Sequence, residues 1–198
     1  MTWLKVCGLT NRADTLAAAE AGADALGFVL VPSSPRVISL DLVAELIAGV
    51  EQDTFLLTHD LDSEALVSAA LATGATGVQP YGLFAAEAGA AAAEAGLMVL
   101  RPVGLSDDWK GIPSDQYPLF DSKRSDGSVN GGRLDLNALP KVNRVHVIAG
   151  GLTPDNVGQV IESRQPFGVD VSSGVEIRPG QKDHALLAAF AKSVRETG

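Results

Sequence analysis

The only cysteine, Cys7, ends the apolar run Trp3–Gly8 and is followed by Gly8 and the polar pair Thr10-Asn11. Such a thiol reads two ways. It is a small buried hydrophobe, a common place for cysteine, or a thiolate base or nucleophile, which needs a lowered pKa and partial exposure. Asp121 closes another apolar run after Leu119-Phe120. It either turns or caps the chain, or acts as a general acid kept protonated by apolar surroundings. Arg36, set behind Ser34-Pro35, is an ordinary surface arginine or a guanidinium fork aimed at a planar carboxylate.

Two glycine- and serine-rich turns lie towards the end of the chain. Ala149-Gly150-Gly151-Leu152-Thr153-Pro154 runs from an apolar segment into a helical one, and Asp170-Val171-Ser172-Ser173-Gly174 follows the next apolar segment. Either is readable as a plain tight turn. Together they match a phosphate site, in which backbone N–H groups and a helix terminus hold the anion. The candidate phosphate residues are therefore Gly150, Gly151, Asp170, Ser172, Ser173 and Gly174. His59 reads as a rim side chain, while His146 and His184 do not read as ligands. No spacing of His, Cys, Asp and Glu suggests a metal site.

The elements that must position these residues alternate along the chain. Short apolar runs at Trp3–Gly8, Ala25–Val31, Thr54–His59, Thr76–Pro80, Leu97–Val103, Tyr117–Asp121, Arg144–Ala149 and Phe167–Val171 read as strands covered on both faces. Between them lie helical stripes such as Leu42/Val43/Leu46/Ile47, Leu66/Val67/Ala70/Leu71, Val157/Val160/Ile161 and Leu186/Leu187/Phe190/Val194. Ser39 and Thr153-Pro154 read as helix starts, and Gly22, Gly74 and Gly96 as helix ends. The segment Ser106–Ser114 is barely long enough for a helical turn or two. Ser122–Gly132 is a long polar connection, expected to be mobile and to close over a ligand. Strands and connections in this number predict an α/β protein, a single-domain (β/α)8 TIM barrel spanning residues 1–198. An open doubly wound sheet is the alternative, and the first strand lacks the glycine fingerprint of that fold.

Composition narrows the function. Of 198 residues, 46% are hydrophobic, enough for a core, and 24 acidic against 15 basic residues give a net charge of -9. That balance repels phosphate backbones and argues against nucleic-acid binding, though local N–H groups can still hold a small anion. One cysteine cannot form an internal disulfide. There is no signal-peptide pattern and no apolar stretch long enough to span a bilayer. The expectation is a cytoplasmic protein.

The anchoring motifs resemble the phosphoribosylanthranilate isomerase family of tryptophan biosynthesis. They are Lys5-Val6-Cys7-Gly8-Leu9-Thr10, Gly22-Ala23-Asp24-Ala25-Leu26-Gly27-Phe28, Ser34-Pro35-Arg36, Ala149-Gly150-Gly151-Leu152-Thr153-Pro154-Asp155-Asn156-Val157, Gly168-Val169-Asp170-Val171-Ser172-Ser173-Gly174-Val175-Glu176 and Pro179-Gly180-Gln181-Lys182-Asp183. The resemblance covers essentially the whole chain. It implies an Amadori rearrangement of N-(5'-phosphoribosyl)anthranilate without cofactor or metal, with Asp121 as the acid that opens the ribose and Cys7 as the base. It further implies Arg36 on the anthranilate carboxylate, the two late turns on the phosphate and a small phosphosugar substrate. A monomer or weak homodimer is the expected assembly. The chain departs from the family in its middle. Gln79-Pro80-Tyr81-Gly82 stands where the family has Gln-Leu-His-Gly, Leu57-Thr58-His59-Asp60 where it has Phe-Val-Asn, and Gly131-Gly132-Arg133-Leu134 where it has a glycine-rich stretch.

Two other readings are open. A related sugar-phosphate isomerase of histidine biosynthesis, or a dual-substrate barrel, is expected to carry an aspartate base where Cys7 stands. A barrel that binds phosphate without catalysis would fit the altered middle segments, but not the joint presence of Cys7, Asp121 and Arg36.

Overall fold

The computed structural model describes residues 1–105, 107–122, 135 and 137–198. Strands β1 (Trp3–Cys7), β2 (Ala25–Val29), β3 (Asp53–His59), β4 (Gly77–Tyr81), β5 (Met98–Val103), β6 (Tyr117–Phe120), β7 (Val147–Ile148) and β8 (Gly168–Val171) form a closed parallel barrel in sequence order. Closure is made by β8 against β1, with Lys5 opposite Asp170. The expected strands are thus present, mostly a residue or two shorter at one end.

Helices α1 (Arg12–Glu20), α2 (Leu40–Ile47), α3 (Ser63–Thr73) and α4 (Ala85–Glu94) make the first four crossovers. α5 (Val157–Arg164) joins β7 to β8, and α6 (His184–Thr197) closes the chain. Between β5 and β6 the described residues hold only a single 3-10 turn, Trp109–Gly111, as that short segment allows. An antiparallel hairpin, β9 (Glu176–Arg178) and β10 (Gln181–Lys182), sits between β8 and α6. Gly131-Gly132-Arg133-Leu134 and all of the Ser122–Gly132 connection beyond Ser122 lie outside the described residues.

Strand side chains alternate between two environments. Leu4, Val6, Leu26, Phe28, Leu56, Val78, Val99, Phe120, Ile148 and Val169 pack outward against the helices. Ala25, Phe55, Leu100, Leu119 and Val147 fill the lower interior. Cys7, Val29, Leu57 and Tyr81 form a separate group that lines the cavity at the C-terminal mouth. The helix stripes hold with two exceptions, Leu71 and Leu186, 67% and 39% exposed. Leu71 lies roughly 140° round the helix from Leu66 at 3.6 residues per turn.

The predicted caps are mostly present. The Ser39 hydroxyl accepts from the Leu42 N–H at 3.2 Å, and Gly74 ends α3 in the left-handed conformation. Thr153-Pro154 instead opens a turn ahead of α5, which begins at Val157. The side chain of Asn156 spans that turn, accepting from the Thr153 N–H at 2.8 Å and donating to the Gly151 carbonyl at 3.0 Å.

Candidate active site

Residues two apart on a strand share a face, so Lys5 and Cys7 both project into the barrel. Opposite Cys7 on β2 stands Gly27, where an added Cβ would lie 3.0 Å from the sulfur. A glycine there leaves room for the thiol. Beyond it, Gly8 turns the chain at φ +75° and lets the Arg36 side chain lie across the backbone, since a Cβ would meet Arg36 Cδ at 2.5 Å.

The mouth holds a cavity of about 550 Å³. Every residue expected at a site lines it: Cys7, Arg36, Asp121, Gly150, Gly151, Asp170, Ser172, Ser173 and Gly174, with His59 on the rim. The two late turns pack against each other, because a Cβ on Gly174 would run into the Leu152 carbonyl. Their backbones therefore face one volume, as an anion cradle requires.

Asp170 shares the cavity but does not resemble a phosphate donor. Its Oδ2 accepts from the Lys5 ammonium at 2.8 Å, and a carboxylate repels an anion. Lys5 is fully buried and also donates to Gln79 Oε1 at 3.0 Å. Gln79 Nε2 donates to the Tyr81 hydroxyl at 2.8 Å, and that hydroxyl donates to Asp121 Oδ2 at 3.2 Å. A buried polar chain thus crosses the barrel from Asp170 to Asp121. Burial opposes the charge on Lys5, but Asp170 and then Cys7 outweigh it and hold the ammonium above the usual lysine range. Burial, followed by the charges of Asp121, Cys7 and Asp170, pushes the Tyr81 hydroxyl well above the ordinary phenol value.

Arg36 is gripped from behind. Nε and Nη2 donate to Glu176 Oε1 and Oε2 at 2.9 and 2.6 Å. Lys182, paired with Glu176 across the β9–β10 hairpin, donates to Glu176 Oε1 at 2.9 Å, to the Cys7 carbonyl at 2.6 Å and to the Ser172 carbonyl at 3.2 Å. This side-on pairing uses one edge of the guanidinium. Nη1 and the second Nη2 hydrogen remain for another acceptor. Burial raises the Glu176 carboxyl, but Arg36 and Lys182 prevail and hold it below the usual range. Among the described residues, no group of three or more His, Cys, Asp and Glu side chains could hold a metal ion.

A family model described as N-(5'-phosphoribosyl)anthranilate isomerase matches residues 4–193. The chain belongs to that family. The N-(5'-phosphoribosyl)anthranilate isomerase of Thermotoga neapolitana is 34% identical over 204 residues, covering 98% of this chain and 99% of the relative. That of Halobacterium salinarum is 36% identical over 212 residues, covering 100% and 97%. A crystal structure of phosphoribosyl anthranilate isomerase in complex with reduced 1-(o-carboxyphenylamino)-1-deoxyribulose 5-phosphate superposes with a TM-score of 0.83 at 30% identity, covering 99% of this chain and 100% of that one. As an N-(5'-phosphoribosyl)anthranilate isomerase family member, the protein is an isomerase of tryptophan biosynthesis with a TIM-barrel fold.

For this isomerase, reading the sequence assigned no part to Lys5, Gln79, Tyr81, Glu176 or Lys182. A lysine two positions before Cys7 on an apolar strand is a signal that could have found the first. The others depend on which strands and loops the barrel brings together.

Proposed function

We propose that this chain converts N-(5'-phosphoribosyl)anthranilate to 1-(2-carboxyphenylamino)-1-deoxyribulose 5-phosphate, with Asp121 as general acid and Cys7 as general base. The observation that carries the reading is the shared cavity, with an acid just after β6, a thiol on β1 and a glycine-serine cradle after β7 and β8. Gly150, Gly151, Ser172, Ser173 and Gly174 hold the phosphate, and Asp170 serves through Lys5 rather than by touching the anion. The outer edge of Arg36 takes the anthranilate carboxylate.

Asp121 protonates the ribose ring oxygen. The C1'–O bond breaks and the anilino nitrogen lone pair forms a C1'–N iminium. Cys7 thiolate removes the C2' proton, and those bonding electrons make the C1'–C2' double bond while the iminium π pair returns to nitrogen. The resulting enolamine gains a proton at C1' and loses its C2' hydroxyl proton, which gives the ketone. Lys5, two residues before Cys7 on the same face of β1, counts Cys7 among the groups that keep it charged. The chain acts as a single cytoplasmic barrel domain, monomer or weak homodimer, without cofactor.

The test is turnover of phosphoribosylanthranilate by purified protein, followed through substrate fluorescence. Cys7→Ala and Asp121→Asn should each lose at least about a hundredfold in kcat, the usual scale for a general acid or base. Full turnover in either variant overturns that residue's role.

A further inference from the structure

Strand β4 ends in Gln79-Pro80-Tyr81, and the mechanism above does not use Tyr81. The direction of the polar chain through Tyr81 is forced from its far end. A lysine ammonium only donates, so Gln79 must turn Oε1 to Lys5 and its NH2 to Tyr81. The Tyr81 hydroxyl accepts there at 2.8 Å, and its own hydrogen is left to the carboxylate of Asp121 at 3.2 Å. Asp170 pins the other end by binding Lys5 at 2.8 Å.

We propose that Tyr81 is a positioning residue for the general acid: its hydroxyl donates to Oδ2 of Asp121, so the proton delivered to the sugar resides on Oδ1. The inference rests on the reading of Asp121 as that acid. A proton on Oδ2 would set two hydrogens against each other across 3.2 Å in a buried site, which such sites avoid. Oδ1 instead has the Ser122 hydroxyl at 3.3 Å, which donates to the carboxylate but can turn to accept when Oδ1 carries the proton, and it lies by the β7 turn, where a Cβ at Gly150 would come within 3.0 Å of it. Burial keeps the Tyr81 hydroxyl protonated through the neutral range.

The experiment compares wild type, Tyr81→Phe, Tyr81→His, Gln79→Met and Asp121→Asn by steady-state kinetics and thermal unfolding. Tyr81→Phe should lower kcat about tenfold, the scale of one hydrogen bond to a charged group, and leave KM within about twofold. Tyr81→His, whose ring N–H can also donate, should recover most of kcat. Gln79→Met keeps Tyr81 but frees its hydroxyl to rotate, and should lower kcat about threefold on the same scale; this arm decides the matter if Tyr81→Phe is unstable. An unchanged kcat in Tyr81→Phe, a loss seen only in KM, or no recovery in Tyr81→His overturns the inference. Those results alongside an inactive Asp121→Asn leave the acid assignment standing, whereas an active Asp121→Asn removes both.

Discussion

Arg36 and Glu176 meet edge to edge, two parallel hydrogen bonds at 2.9 and 2.6 Å joining the loop after β2 to the hairpin after β8. The pairing spans 140 residues of sequence and fixes the guanidinium plane at the rim of the cavity. If Arg36 takes the substrate carboxylate as proposed, an arginine held this way loses little further freedom on binding.

Removing that grip should therefore weaken binding more than chemistry. Glu176→Gln is expected to raise KM for phosphoribosylanthranilate about tenfold, consistent with losing a hydrogen bond between charged groups, while kcat changes by less than about threefold. A loss confined to kcat would place Glu176 at the reacting atoms instead.

The same carboxylate makes stability depend on acid. Arg36 and Lys182 hold Glu176 below its ordinary 4.5, so its contribution is complete above that pH. As pH falls below 4.5 the unfolded chain takes up the proton first, and the contribution is lost as pH passes through the lower folded value. Asp14 acts in the same direction from its ordinary 3.8, with burial outweighed by the Lys182 N–H and by His184 and Asn11. Thermal midpoints measured across this range should fall steeply in wild type and less steeply in Glu176→Gln. Parallel curves would refute the assignment.

Gly8→Ala tests the turn that joins thiol to arginine. Its φ of +75° disfavours a side chain, and the new Cβ would press on Arg36 Cδ. A stability loss of about 1–2 kcal/mol is expected from the backbone alone, with an added rise in KM from the displaced arginine. Denaturant unfolding and kinetics on the same preparation separate the two effects. Wild-type stability in the variant would show that the turn tolerates a side chain.

The late turns should bind a bare anion. Millimolar inorganic phosphate is expected to raise the thermal midpoint of wild type by mass action and to compete with substrate. Gly174→Ala, whose Cβ would strike the Leu152 carbonyl, should lose both effects. Equal protection of the variant would move the anion site elsewhere.

Much of this architecture was legible one segment at a time. Apolar runs of strand length, helical stripes and terminating glycines at Gly22 and Gly74 are local consequences of backbone preference and burial, so alternation along the chain predicts the barrel. The placement of Cys7 and Asp121 follows too, because Cys7 ends β1 and Asp121 directly follows β6, and parallel barrels gather their strand ends at one mouth. Asp170 shows where such reasoning stops. Its turn reads as a phosphate loop, yet the side chain points to Lys5, a partner 165 residues away. The links from Lys5 to Gln79, from Tyr81 to Asp121 and from Arg36 to Glu176 span 74, 40 and 140 residues. They exist because β8 closes on β1 and the strands' inward faces share one interior. Local sequence sets which residue ends each strand; only closure of the barrel decides which buried charges must answer one another.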